Sequence, residues 1–236
     1  MAEDIRKAAD TAGLQEFEKQ YRAPHCVVLD SEYCSMGRMI GVRACRMAGY
    51  AYYDAVILLE LVPESGVSIA DVEAFEKKLR PALLSKEEIT AMPEWERIAS
   101  VFDRAADIAL AKGPCLIHDR MAKEMIEAKG YSCTSVLMYA TDADAKIVRA
   151  KVSPLYSSLS DPAVITEKIR EEDRIRINTR TAQSDKAWGR KDNYDLCINS
   201  ETFGRDYAAV ILAGVMKGEQ HHETITGRLS LGRSHS

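Results

Sequence analysis

The chain has 236 residues, 46% of them hydrophobic and 29% charged, the balance of an ordinary soluble globular protein with room for one sizeable domain or two small ones. A net charge of -4 and a pI near 5.8 argue against a general nucleic-acid binder, while leaving room for a local basic pocket. No apolar run reaches the roughly 18 residues of a membrane helix, and the N-terminus has no basic-then-apolar signal, so neither a membrane partner nor export is expected. Cys26, Cys34, Cys45, Cys115, Cys133 and Cys197 form no CxxC pair and several lie in apolar runs. They read as reduced thiols in a cytoplasmic protein. The five histidines make no metal-ligand spacing beyond the adjoining His221 and His222.

In chain order, residues 4 to 21 carry one apolar face, from Ile5 through Ala8, Leu14 and Phe17 to Tyr21, and predict a helix. "CVVLD" follows as a buried strand, then a short loop, then "MGRMIGVRACRMAGY" as a helix that Gly49 stops. "AYYD" is a short strand. Residues 55 to 62, 69 to 84 and 94 to 112 predict helices punctuated by Pro63, Gly66, Pro81 and Pro93. "PCLIHD" is a third strand, "RMAKEMIEAKG" a helix and "TSVLMYA" a fourth strand. Helices follow over 142 to 151 and over 161 to 181, the second with Asp161 as cap and Pro162 at its first position. "YDLCIN" is the fifth strand, "GRDYAAVILAGVMKG" the last helix, and 219 to 236 a polar tail expected to be disordered. Short apolar strands alternating with helices imply an α/β fold: a five-stranded parallel sheet with helices on both faces. The helical block 55–112 interrupts that alternation as an insertion.

Ligands of such a sheet bind at the carboxyl ends of its strands. Those ends carry Asp30 to Arg38, then Asp54, then Asp119 with Arg120, then Thr141 with Asp142, then Asn199. Asp and Arg gathered at one edge suit a phosphate-and-metal site. Asp54 and Asp142 read equally as helix caps. Asp119 ends an apolar strand, where a carboxylate can order magnesium, or it can open the next helix. In "KIREEDRIRINTR", Arg170 and Arg174 are four apart, as are Arg176 and Arg180. Such spacing is mildly repulsive unless an anion lies between the arginines. The helix is either a solvated face, with Glu172 and Arg176 as a favourable pair, or a phosphate-gripping lid. The loop "CSMGRM" fails the pattern G-x-x-x-x-G-K-[ST].

Several stretches together resemble the cytidylate kinase-like family, a divergent branch of the P-loop nucleoside monophosphate kinases. "DSEYCSMGRMIG" at 30 to 41 is similar to a family loop of the form "SREYGSGGREIG". "YYD" at 52 to 54, "HDR" at 118 to 120 against a family "VGR", and the stretch 171 to 204 with its acids, spaced arginines and "WG" complete the likeness, which covers about residues 25 to 217. The resemblance implies a three-layer P-loop NTPase fold over 23–218, an acceptor-binding insertion at 55–112 and a lid region at 152–190, with 1–22 as an N-terminal extension. It implies transfer of the γ-phosphoryl group of ATP, with Mg2+, to a nucleoside monophosphate or similar small acceptor. Ser35, Met36, Gly37, Arg38 and Met39 would form the phosphate loop. Asp54 and Arg120 would face the acceptor, Asp119 would reach the metal through water, and Arg174, Arg176 and Arg180 would act from the lid, with Arg38 and Arg120 among the catalytic cations. The chain departs from the family pattern where Cys34 and Met36 replace loop glycines, Ser31 replaces an arginine, Met39 replaces a hydroxyl and Asp119 replaces a glycine. A side chain at a positive-φ site costs about 1 kcal/mol or more. The departures leave a second reading open, an inactive P-loop module that binds a nucleotide or acts as a scaffold. The N-terminal helix either packs on the core or makes a homodimer contact.

Overall fold

In a computed structural model, residues 21–154 and 156–218 are described. The helix expected over 4 to 21, all but Tyr21, and the polar tail from 219 lie outside them. The chain divides by internal contacts into two units, and the unit Pro24–Met216 carries the sheet and its helices.

Its centre is a parallel sheet of five strands: β1 (Cys26–Ser31), β2 (Ala51–Tyr53), β3 (Cys115–His118), β4 (Cys133–Tyr139) and β5 (Leu196–Asn199), in the spatial order 2-3-1-4-5. All the pairings are parallel, with Cys26 opposite both Cys115 and Cys133. Every residue of β1 is buried, as a strand covered on both faces must be. Its side chains alternate between two cores. Val27 and Leu29 pack with Ile40, Leu116 and Leu212 on one face, while Cys26 and Val28 join Leu110, Ile117 and Ile126 on the other. Fully buried side chains such as Leu29 and Leu116 each contribute about 1.5–3 kcal/mol.

The helices are α1 (Gly37–Ala48), α2 (Ala55–Glu60), α3 (Ile69–Leu79), α4 (Lys86–Thr90), α5 (Pro93–Ala111), α6 (Lys123–Ala128), α7 (Ala143–Val152), α8 (Pro162–Gln183) and α9 (Ser200–Lys217). The local chemistry accounts for most boundaries. Gly49 ends α1 in the left-handed region at φ 75°. Asp54, Asp142 and Asp161 all accept backbone N–H bonds at helix starts, so all three are caps. Capping boxes open α3 at Ser68 with Asp71 and α4 at Ser85 with Glu88.

Three expected boundaries differ by three residues or more. The helix expected over 69 to 84 ends at Leu79, because Pro81 has no N–H to continue the ladder. The helix expected from Arg120 starts at Lys123, since the Arg120 carbonyl is instead taken by the Gln183 amide at 2.8 Å. The last helix starts at Ser200 and is interrupted at Gly204, whose φ of 66° and ψ of 169° lie outside the helical region. Among the described residues no helix is long and apolar enough to cross a membrane.

Asn178, fully buried on α8, ties that helix to the insertion. Its amide donates to the carbonyls of Leu79 and Ala82 at 2.8 Å each, and its oxygen accepts from Leu84 N–H at 2.9 Å. Asn178→Ala leaves these backbone groups unpaired and should cost about 3 kcal/mol. Urea unfolding checks this; a loss under about 0.5 kcal/mol would show that water replaces the amide.

Candidate functional site

The loop between β1 and α1 keeps a backbone path that glycine would adopt most easily. Cys34 and Met36 both sit at φ 65°, and Asp119, just past β3, sits at φ 55°. These are the positive-φ residues other than glycine among the described residues. A side chain in that region costs about 1–2 kcal/mol, so the surrounding structure imposes the path on all three. Gly37 is glycine for a different reason. A Cβ there would lie 2.3 Å from the Ser31 Cβ and 2.7 Å from its Oγ. The loop thus folds directly onto the end of β1. Behind it, α1 begins with no side-chain cap and no acid in its first turn. The positive end of a 12-residue helix therefore remains available to an anion.

Met36, Gly37, Arg38 and Met39 line a cleft of about 820 Å³. The insertion supplies its facing wall through Asp54, Val56, Ile69, Glu73 and Glu76. Ser31, His118, Asp119 and Arg120 form its floor, and Arg149 and Arg176 close the side formed by α7 and α8. Each cleft arginine already has an anionic partner. Arg38 pairs with Asp54 at 3.0 Å and Arg120 with Glu76 at 2.6 Å. Arg149 pairs with Glu201 at 2.5 Å and also donates to the Cys34 carbonyl at 3.0 Å. Arg176 meets Asp119 at 3.3 Å, and its guanidinium lies 5.5 Å from the Tyr33 ring centroid.

Of the residues expected at the site, Met36, Gly37, Arg38, Met39, Asp54, Asp119, Arg120 and Arg176 share this cleft. Three lie elsewhere. Ser35 is fully buried, off the cleft wall, and its Oγ has no hydrogen-bond partner. Arg174 turns outward to Glu167 and the Pro81 carbonyl. Arg180 pairs with Asp30 beneath the cleft, where Tyr194 Oη also donates to that carboxylate at 2.7 Å.

Sequence reasoning missed Arg149 and Lys146. Both stand on α7 three residues apart, and Lys146 Nζ reaches Glu32 of the loop at 2.6 Å. Basic residues at i and i+3 just after a strand's carboxyl end were the available signal. Ser31, Tyr33, Glu73, Glu76 and His118 were missed as well.

On the floor, Ser31 Oγ lies 2.8 Å from His118 Nε2 and donates to Asp119 Oδ2 at 3.1 Å. His118 Nδ1 lies 2.8 Å from Tyr52 Oη. Burial holds the His118 pKa below the usual imidazole range, so the ring is neutral at pH 7. Burial also pushes the Asp119 carboxyl up, but nearby positive charge, Arg176 included, and the Ser31 N–H outweigh it and hold it below the ordinary value. Asp119 is therefore an anion facing the cleft. Ser31, His118 and Asp119, the last two in place of the family's "VG", form one hydrogen-bonded unit.

Helix α8 is held against this floor along one face. Asp173 accepts the Tyr33 N–H at 2.6 Å, Arg176 meets Asp119, and Arg180 meets Asp30, at spacings of i, i+3 and i+7. Burial pushes both Asp30 and Asp173 up to about 6.

A family model described as the cytidylate kinase-like family matches residues 26–202. No curated protein matches the sequence. Among solved structures, an uncharacterized protein from Eubacterium ventriosum ATCC 27560 superposes with a TM-score of 0.57 at 14% identity, over 83% of this chain and 99% of that one. Shikimate kinase from Acinetobacter baumannii, in complex with shikimate, gives a TM-score of 0.40 at 11% identity, over 84% and 94%. The five-stranded parallel sheet with helices on both faces is a three-layer α/β fold, which the Eubacterium ventriosum protein shares.

The buried acids set the pH dependence of stability. A carboxyl whose folded pKa is raised favours folding below its unfolded value, and that contribution is lost as pH rises through about 6. His118, with a lowered pKa, acts in the opposite direction, losing its contribution as pH falls below 6.5. Asp173→Asn isolates one of these acids: the wild type should gain urea midpoint over the variant on going from pH 7.5 to pH 5.5. An unchanged difference between the two proteins would contradict the burial of this acid.

Proposed function

The chain belongs to the cytidylate kinase-like family, and on that premise we propose that it is a nucleotide-dependent phosphotransferase that moves the γ-phosphoryl group of ATP to a small acceptor. The observation that carries this reading is the loop backbone. It holds the left-handed path at Cys34 and Met36 despite its cost, ahead of an uncapped helix end that opens onto a cleft with four arginines. Strain of this kind gathers at functional sites. The nucleotide's phosphates would lie against the first turn of α1, with Arg149 and Arg176 beside them. Arg38, Asp54 and Arg120 stand on the acceptor side.

Phosphoryl transfer asks a protein for positioning and for charge stabilisation. Arginines supply both through forked donors, which is how a loop without lysine can serve. Among the described residues no group of three Asp, Glu, His or Cys could hold a metal ion by itself. Magnesium would therefore arrive on the nucleotide, where it neutralises phosphate charge, and Asp119 is the carboxylate placed to meet one of its waters. Six free cysteines support a reducing, cytoplasmic setting.

A second reading, a nucleotide-binding or scaffold module without catalysis, is favoured by Met36 standing in the cleft and by Met39 where a hydroxyl would hold the metal. Phosphorus NMR of the full chain with ATP, magnesium and acceptors separates the two. ADP formed together with a newly phosphorylated acceptor supports transfer; ATP binding without turnover favours the module.

Two variants extend the test. Arg149→Ala should lower kcat about a hundredfold or more, within the range for a cation acting on the transferring group. An effect confined to KM would give Arg149 a binding role only. Met36→Gly removes both the backbone strain and a side chain from the cleft, and should raise nucleotide affinity. An unchanged affinity would mean that phosphate does not approach the loop there.

A further inference from the structure

The charges on the acceptor wall bear on what the acceptor can be. Asp54 accepts the Ile57 N–H through Oδ1 at 3.2 Å and holds Arg38 through Oδ2. Glu76 holds Arg120 in a pair whose side chains are 16% and 20% exposed. Glu73 projects into the same space, exposed and with no cationic partner among the described residues. Three carboxylates thus face two guanidiniums, each already engaged. Over the whole cleft, Glu32, Asp54, Glu73, Glu76 and Asp119 oppose Arg38, Arg120, Arg149 and Arg176, five negative charges against four positive. A phosphate dianion placed on Arg120 would have to displace Glu76 and then remain beside it, unpaired in a partly desolvated site, while Arg38, 69% exposed, is screened by water and attracts it only weakly. Like charges at such range repel.

The same wall suits hydroxyl groups. Carboxylates are acceptors only, with two oxygens that can take adjacent O–H donors, and charge-assisted bonds of this kind are the stronger ones. Val56 and Ile69, 45% and 38% exposed, offer an apolar surface beside them for the face of a ring. Ser31 and the neutral His118 on the floor add uncharged polar contacts.

We propose that the acceptor is a small polyhydroxylated ring compound carrying no phosphate, with hydroxyls held by Glu73 and Asp54 and a ring face against Val56 and Ile69. This rests on the phosphotransferase reading and narrows its acceptor away from nucleoside monophosphates. In the step, the acceptor hydroxyl oxygen bonds to the γ-phosphorus as the bond from that phosphorus to the β,γ-bridging oxygen breaks. The electron pair leaves on ADP and the hydroxyl proton passes to water.

The experiment presents the full chain, ATP and magnesium with two acceptor sets at equal concentration. One set is myo-inositol, glucose and glucosamine; the other is CMP, UMP, AMP and GMP. Phosphorus NMR reads the products. The expected result is a phosphate monoester of a polyol formed together with ADP, and no nucleoside diphosphate from CMP, UMP or GMP. Glu73→Gln should then raise the KM for that polyol about tenfold, the scale of one charge-assisted hydrogen bond, with kcat changed less. Phosphorylation of a nucleoside monophosphate, improved by Glu73→Gln, would overturn the proposal and leave the phosphotransferase reading in place. No phosphorylated product from either set, with folded protein that still binds ATP, would overturn both.

Discussion

A left-handed backbone at Cys34, Met36 and Asp119 is the constraint from which the site follows. Each of these residues has a Cβ that resists the conformation, so the path must be enforced from outside. The enforcement is visible. Gly37 presses on Ser31 with no room for a methyl group, the Ser31 N–H is taken by the Asp119 carboxylate at 2.8 Å, and Arg149 fixes the Cys34 carbonyl. Strain of this kind persists where neighbouring structure over-determines it, and it gathers at functional sites. Here it shapes the floor and one wall of the cleft.

The electrostatics of the cleft are closed within the protein. Its four arginines have carboxylate partners, and α8 is fixed by three polar contacts along one face. Such a site is nearly charge-balanced before any ligand arrives. On the proposed reading, a triphosphate would bring its own counter-charge in magnesium and meet the α1 N-terminus, where no carboxylate stands in the first turn. An acceptor would meet the acid-rich wall, so the two ends of the cleft would be chemically unlike.

Much of the fold was legible because its signals are local. Val27 to Leu29 form a continuous apolar run, Gly49 stops α1, and Asp161 with Pro162 opens α8. Asp54 and Asp142 are caps as their positions suggested, and Asp54 also faces the cleft. The site was legible only in part. The likeness of "DSEYCSMGRMIG" to a phosphate loop located the cleft, but which arginines face it depends on the rotation of α8. That rotation is set by Asp30, Asp119 and Asp173, which lie far from one another in sequence. Local spacing treats Arg174, Arg176 and Arg180 alike, whereas the packed helix sends one outward, one to the cleft and one beneath it. Glu73 was invisible for the same reason, and the spacing of Lys146 and Arg149 alone did not place Arg149 in the cleft. Their roles come from a cleft wall assembled from separate elements.

The central claim is that the strained loop receives the phosphates of a nucleotide. Backbone amide NMR of the full chain, titrated with ATP and magnesium, tests it most directly. The account predicts that the largest shifts fall on the amides of residues 34 to 40, with smaller ones at Asp119 and along α7. Shifts confined to other parts of the sheet, or none at millimolar ATP, would contradict it.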